Sequence, residues 1–330
     1  MTSSREIKPA PADQIARAVW DGGVARVVVA ITTATAREAV RRHEATRGAA
    51  LALARGTTAG LLLATLTKDD ERVTLQVIGD GPLSGVTVDA RSSGGVRAYV
   101  KNPAAGLLVR PALASGAASE GDRQRPSLAP ALGQNGVVSV IRDVGLRDNF
   151  SGQTPLVTGE LDTDVEHYLN ISEQIDSALA CDALFTDGSS TTIAVSAGIL
   201  VQALPGTAGS AVIERARFLF RAGALPAALA AGAPLSAEAL GAAVLAELSG
   251  AGAGALQVLD VRPVHFECPC SRKRAAGSLA LLGGAELASM IVEDGKAEVI
   301  CNFCRERYDF SEAELETIRR ETVPSGALPS

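Results

Sequence analysis

Aromatic residues are scarce: one Trp, three Tyr and seven Phe make up 3% of the 330 residues. Ala, Gly, Leu and Val dominate instead, and the hydrophobic share is 47%, ample for buried cores in two or three domains. Positive charge is not in surplus. With 31 Lys and Arg against 37 Asp and Glu, the net charge of −6 argues against a nucleic-acid-binding surface spread over the chain. The opening Met1-Thr-Ser-Ser-Arg5-Glu-Ile-Lys8 has no apolar core, so no signal peptide is expected. No uninterrupted apolar run is long enough for a bilayer, since the longest candidate, 224–259, is broken by Pro226, Pro234, Glu238 and Glu247. The phosphate-binding pattern GxxxxGK[ST] is missing as well. Five cysteines in a chain of this length are no secreted disulfide framework. The expected setting is the reducing cytoplasm, where clustered thiols bind metals or carry redox chemistry.

Four of those five cysteines form two tight pairs, Cys268-Pro-Cys270 and Cys301-Asn-Phe-Cys304, separated by 30 residues. Two short Cys turns brought together supply four soft ligands, the set a tetrahedral Zn²⁺ takes at about 2.3 Å. Spacing alone leaves open whether such a site is purely structural or also a redox sensor. A zinc-ribbon module for nucleic acid is disfavoured by the nine Lys/Arg against eleven Asp/Glu in 261–330. A thioredoxin-like CxxC belongs at a helix N-terminus in a βαβ setting, whereas Cys301 follows a strand. His265 is read as a solvated residue on the entry strand, because four thiolates already complete a shell. Cys181, in Ala178-Leu-Ala-Cys181-Asp-Ala-Leu-Phe185, is read as a small buried hydrophobe.

Along the chain, 24–32 read as a strand and 34–66 as helix with a break near Gly48. Short strands follow at 72–78, 86–88 and 95–100, the first turned by Gly79-Asp80-Gly81-Pro82. A loop is expected over 111–130, a strand over 137–141, and helix over 161–180. Two closing strands are expected at 191–195 and 198–204, then a helix from about 208 to 221. The charged run Arg37 to Arg47 reads as a solvated helix face. From Ala222 to Leu256 the composition changes to fifteen Ala, six Gly and two charges. One helix is expected there, with Ser236 as N-cap and Leu240, Val244 and Leu248 on one face. Ala buries little surface and each Gly costs entropy, so this segment needs a surface to dock on. The last seventy residues hold helices at 271–282 and 285–292, a strand at 298–300, and a final helix opened by the capping box Ser311-Glu-Ala-Glu314. With so few aromatics there, metal binding should supply much of the folding energy.

The block Phe266-Glu-Cys268-Pro-Cys270-Ser-Arg-Lys-Arg274 with Cys301-Asn-Phe-Cys304-Arg-Glu-Arg-Tyr308-Asp-Phe310 resembles the redox-regulated molecular chaperones, the 33-kDa heat-shock chaperonin family. The resemblance extends to Val73–Leu83 with its Gly-Asp-Gly-Pro turn, to Val96–Val100 with Asn102-Pro103, and to Gly152–Leu161 with Tyr168 and Ser172-Glu173-Gln174. Two departures stand out: Asp176, near where the family usually has Pro, and an interdomain segment richer in Ala and Gly than the family's charged one. The resemblance implies a holdase chaperone, not an enzyme, that needs no ATP. It implies one Zn²⁺ per chain on Cys268, Cys270, Cys301 and Cys304 in a reduced, inactive form. On oxidation it implies Cys268–Cys270 and Cys301–Cys304 disulfides, zinc release, an unfolded linker and exposed apolar surface. Its partners would be unfolding client proteins and, when oxidised, a second copy of itself, with neither nucleic acid nor membrane. The expected architecture is α+β: a mixed helix and antiparallel-sheet core over 1–221, a metastable helical linker over 222–262, and a zinc-binding redox switch over 263–330. The alternative is a constitutive binding protein with a purely structural zinc-ribbon-like module.

Overall fold

The computed structural model describes residues 12–67, 71–105, 125–143, 150–187, 190–206, 209–232, 236–249 and 256–322. The chain divides into two compact units, Met1–Glu267 and Cys268–Ser330. In chain order the first unit holds β1 (Gln14–Trp20), β2 (Ala25–Ile31), α1 (Thr33–His43), α2 (Arg47–Ala64), β3 (Arg72–Gly79), β4 (Val86–Arg91), β5 (Gly95–Val100), α3 (Ala129–Leu132), β6 (Gly136–Asp143) and β7 (Phe150–Pro155). It continues with α4 (Leu161–Ile171), β8 (Ser177–Phe185), β9 (Ile193–Ala203), α5 (Gly209–Arg221), α6 (Ala224–Ala230), α7 (Ala237–Leu245), β10 (Leu256–Pro263) and β11 (His265–Phe266).

Two sheets result, ordered β10-β1-β2-β9-β8 and β11-β5-β4-β3-β6-β7. Every pairing is antiparallel except the two-residue β11–β5 contact. Helix α2 is buried all round from Gly48 to Ala64, which explains its Ala, Leu and Gly composition. Its glycines set the distance to the sheet beside it: a Cβ on Gly60 would lie 2.6 Å from Val88 Cγ1. On its other side Gly198 of β9 plays the same part, where a Cβ would lie 2.6 Å from Thr58 Cγ2. Strand β2 shows how the layers stack. Val28 and Ala30 face the core that contains α2, while Val27, Val29 and Ile31 face a second core closed by α5, α6 and α7.

Several elements match the sequence reading, and some differ. The break expected near Gly48 falls between α1 and α2 at 44–46, where Glu44 takes the left-handed conformation (φ 47°). The helix expected to 180 ends at Ile171, and Ser177–Phe185 is a strand. That strand is buried on both faces over its first seven residues, so its apolar run has no alternation to distinguish it from a helix. The two closing strands are one, β9, running straight through Gly198. Most of the loop expected over 111–130 lies outside the described residues. The run Arg37 to Arg47 is only partly a solvated face. Arg41 and Arg42 pair with Glu38, but Arg37 donates to the Ile193 and Ala194 carbonyls, Arg47 to those of Asp187 and Ser190, and His43 is buried.

The Ala/Gly-rich segment packs within the first unit. Leu225, Leu229, Leu240, Val244 and Leu245 are each at most 3% exposed and belong to the second core, against Val27, Val29, Ile31, Ile199 and Val201. Ser236 caps α7 as expected, its Oγ accepting from Ala239 N at 3.1 Å. Fully burying a Leu contributes about 1.5–3 kcal/mol, so these few side chains hold α6 and α7 where Ala and Gly cannot.

The second unit has its own small core of Ala275, Leu279, Leu287, Phe310, Leu315 and Ile318 among others. Around it lie α8 (Arg272–Ala280), α9 (Gly284–Glu293), a hairpin of β12 (Lys296–Ile300) and β13 (Arg307–Ser311), and α10 (Glu312–Thr322). Strand β13 was not expected. It supplies the partner that β12 needs and delivers Phe310 into the core. Half of the expected capping box forms at α10, where Ser311 N donates to Glu314 Oε2 at 2.9 Å.

Candidate metal centre

The two cysteine pairs sit at two kinds of chain reversal. Cys268 and Cys270 lie just before α8, whose first turn is fixed by Ser271 Oγ accepting from Arg274 N. The positive end of a nine-residue helix therefore follows directly on this pair and favours thiolate. Cys301 and Cys304 form the turn of the β12–β13 hairpin. There Arg305 N donates to the Cys301 carbonyl and Cys301 N to that of Glu306, both at 2.9 Å, with Arg305 left-handed at φ 61°. This folds the Cys-Asn-Phe-Cys stretch into a tight knuckle with both sulfurs on one side.

The four Sγ atoms all lie within 4.8 Å of one another. Cys268 Sγ is 3.7 Å from Cys301 Sγ, and Cys270 Sγ is 3.2 Å from Cys304 Sγ. A tetrahedron with metal–sulfur bonds of about 2.3 Å has edges of about 3.8 Å. Four soft donors at this spacing fit a thiophilic divalent cation. Cys304 is buried and the other three are half-buried, so the cluster is reachable from solvent on one side.

Electrostatics favour a cation as the fifth party. Burial pushes the Cys270 and Cys304 thiols up; the other three thiols push Cys304 the same way, whereas at Cys270 the neighbour Cys268 pushes up and the bond to Cys304 pulls down. A divalent cation inverts that balance, holding all four as thiolates. The Tyr308 hydroxyl already pulls in that direction, donating to Cys270 Sγ at 3.2 Å and lowering its pKa, as the Glu306 backbone does for Cys304. The sequence names Tyr308 only as part of a resemblance. Its role depends on β13 reaching past the knuckle, and no spacing signals that.

Arg272, two residues after Cys270, holds other elements together. It donates to the Asp309 carbonyl and to Glu314 Oε1 at 2.7 and 2.6 Å, and stacks over the Phe310 ring at 4.5 Å. It fastens α8 to β13 and α10. Among the described residues, the cysteine quartet is the one grouping with metal-ligand geometry. His265 is not in it and lies exposed on β11.

Other singled-out residues have structural roles. Cys181 is fully buried in β8, with its thiol pushed far up by burial. The Asp80 carboxylate in the Gly79–Pro82 turn accepts from Gln134 N and Asn135 N, which makes it a loop fastener. Tyr168 donates to Glu173 at 2.7 Å, and Arg142 pairs with Glu173 at 3.0 Å. A buried charge cluster escaped the sequence reading. Arg55, wholly buried in α2, pairs with Asp182 at 2.7 Å and Glu160 at 3.3 Å, and Arg125 pairs with Asp162 and Asp182. No single helix among the described residues is long and apolar enough to cross a membrane.

A family model described as Hsp33 protein matches residues 13–311. The 33 kDa chaperonin of Listeria monocytogenes serovar 1/2a is 35% identical over 309 residues, spanning 94% of this chain and 99% of its own. That of Bacillus subtilis (strain 168) is 34% identical over 311 residues, with the same coverage of 94% and 99%. The crystal structure of the 33 kDa chaperonin (heat shock protein 33 homolog) from Thermotoga maritima superposes with a TM-score of 0.72 at 28% identity, covering 94% of this chain and 99% of that one. A match that runs from the first strand of the core to the end of the hairpin that holds Cys301 and Cys304 means that this chain belongs to the Hsp33 family, whose role is that of a chaperone.

Proposed function

We propose that this protein is a redox-regulated, ATP-independent holdase, resting in a reduced form with one Zn²⁺ on Cys268, Cys270, Cys301 and Cys304. The observation that carries the reading is the quartet itself: four sulfurs within 4.8 Å, open on one side, in a unit with a small core. Zn²⁺ bound there keeps the thiolates deprotonated at neutral pH and ties the two turns together.

The residues do the rest. A thiolate attacks a peroxide, gaining a sulfenic oxygen and releasing water or an alcohol. A neighbouring thiolate then displaces hydroxide from that sulfenic acid and closes a disulfide. Cysteines one or two residues away, Cys270 beside Cys268 and Cys304 beside Cys301, are the partners within each motif. Disulfide sulfurs no longer serve as thiolate donors, so a contribution on the order of 10 kcal/mol to folding is lost. Few small units have that much to spare.

Segment 222–262 is the proposed second stage. It precedes the cysteine unit in the chain and is held by a few leucines and valines, so it is a candidate to come loose next. Its release would expose Val27, Val29, Ile31, Ile199 and Val201, now buried beneath it, as apolar surface for unfolding proteins. The cytoplasm is the proposed compartment, and a second copy the proposed partner of the oxidised chain.

The test is zinc content and suppression of aggregation measured on one sample, before and after peroxide with mild heating. One zinc released per chain as four thiols vanish, with suppression that appears and reverses with reductant, is the expected result. Zinc retained with activity unchanged would return the cysteines to a purely structural role.

A further inference from the structure

The segment that the proposed switch releases contributes a strand as well as helices. β10 is the terminal strand of its sheet and pairs antiparallel with β1, from Gln14 opposite Pro263 to Trp20 opposite Leu256. A bulge between Arg17 and Ala18 leaves Leu259 unpaired and 63% exposed. The inward side chains are few and specific. Leu256 and Val258 pack on the second core opposite Trp20 and Ala18, and Asp260 accepts from Arg17 at 3.0 Å. When β10 leaves, β1 becomes an edge, with a row of unpaired main-chain donors and acceptors flanked by apolar Ala16, Ala18 and Trp20. Arg17 then loses its carboxylate while close to Arg26, whose own charge it already disfavours.

We propose that this vacated β1 edge is a client-docking site that takes an extended segment of an unfolding protein as an added strand. β10 is its resident stand-in. The segment it fits has apolar residues at alternate positions, as Leu256 and Val258 provide now, and an acidic residue opposite Arg17 in place of Asp260. Main-chain pairing carries most of the recognition, which suits a surface that must accept many sequences. An unfolded chain offers such segments and a folded one has already paired them. The inference rests on the proposed release of 222–262.

Hydrogen exchange on the full chain tests it, with reduced, carboxymethylated α-lactalbumin as the permanently unfolded probe. Oxidation should speed exchange of the β10-facing amides within 14–20 by roughly tenfold or more, and the bound probe should restore their protection. Unchanged protection on oxidation overturns the proposal. So does a complex, isolated by gel filtration, in which β1 stays unprotected, and that result leaves the holdase reading standing. Absence of any complex sinks both. A second probe separates edge from face. A capped peptide of Leu256–Pro263 should displace α-lactalbumin from the oxidised chain, and the same peptide N-methylated along its pairing edge should be weaker by roughly tenfold or more. Equal displacement by the two peptides would mean side-chain docking alone and overturns the edge.

Discussion

The Tyr308 hydroxyl donates a hydrogen bond to the sulfur of Cys270 at 3.2 Å, from a strand outside both cysteine motifs. The bond draws electron density from one thiolate and so affects both how tightly a metal is held and how fast that sulfur meets an oxidant. Tyr308→Phe keeps the ring and removes the bond. Metal affinity should fall by roughly tenfold, the lower end for loss of a partner behind a metal ligand. Peroxide-driven zinc release, followed with a chromogenic chelator, should be faster than in the parent. Slower release would mean that the hydroxyl assists oxidation instead of restraining it.

Removing one ligand should separate the two units. Cys304→Ser takes away the buried member of the quartet and should abolish stoichiometric zinc binding, with loss of ordered structure in 268–322 and little change in the first unit. Cys181→Ala should do the reverse, leaving zinc content at the parent value while lowering the stability of the first unit by about 1 kcal/mol through a small cavity. Zinc analysis and thermal unfolding on the same three proteins decide the matter. Equal zinc loss in both variants would remove the assignment of the site to 268–304.

Leu240 lies fully buried where α7 meets the second core. Leu240→Ala should cost about 2–5 kcal/mol of packing. The loss falls on the docking of α7 and not on the sheet beneath. Dye binding to exposed apolar surface should rise in the reduced, zinc-loaded protein, and aggregation suppression should appear without oxidant. A variant that stays silent until oxidised would show that α7 does not cover the working surface.

Arg55 and Asp182 form an ion pair buried on both sides, at 2.7 Å. Arg55→Met fills the same space but leaves the buried Asp182 carboxylate with Arg125, at 3.8 Å, as its remaining cation, which costs about 3 kcal/mol, the lower end for breaking a buried pair. The urea midpoint of the first unit should drop accordingly while zinc content stays constant. Adding Asp182→Asn to it should recover part of the loss, because the stranded charge goes too.

The cysteine quartet was legible because four thiols in two short motifs have few other uses, and Ser236 and the Ser311–Glu314 box were legible because caps are local chemistry. Harder were positions whose meaning lies across the fold. Arg55 sits in an Ala- and Leu-rich run and gives no hint that Asp182 and Glu160 await it. Strand β8 reads like a continuation of α4, since burial on both faces erases its period. Gly198 resembles a strand break, yet it marks the place where β9 lets α2 approach. Asp176, the departure from the family pattern, ends in an ion pair with Arg217 at 2.6 Å, a contact made 41 residues away.

A metal on the quartet would also change the connectivity of the chain. Holding Cys268 and Cys270 against Cys301 and Cys304 closes a loop of thirty residues that carries α8, α9 and β12. A cross-link over that length removes about 3–4 kcal/mol of unfolded-chain freedom. Pairing within each motif closes rings of only three and four residues, each inside a single turn. On the proposed oxidation the number of sulfur–sulfur linkages would rise from none to two while the long-range tie disappeared. Oxidation, which stitches most proteins tighter, here would cut the one stitch that spans the unit.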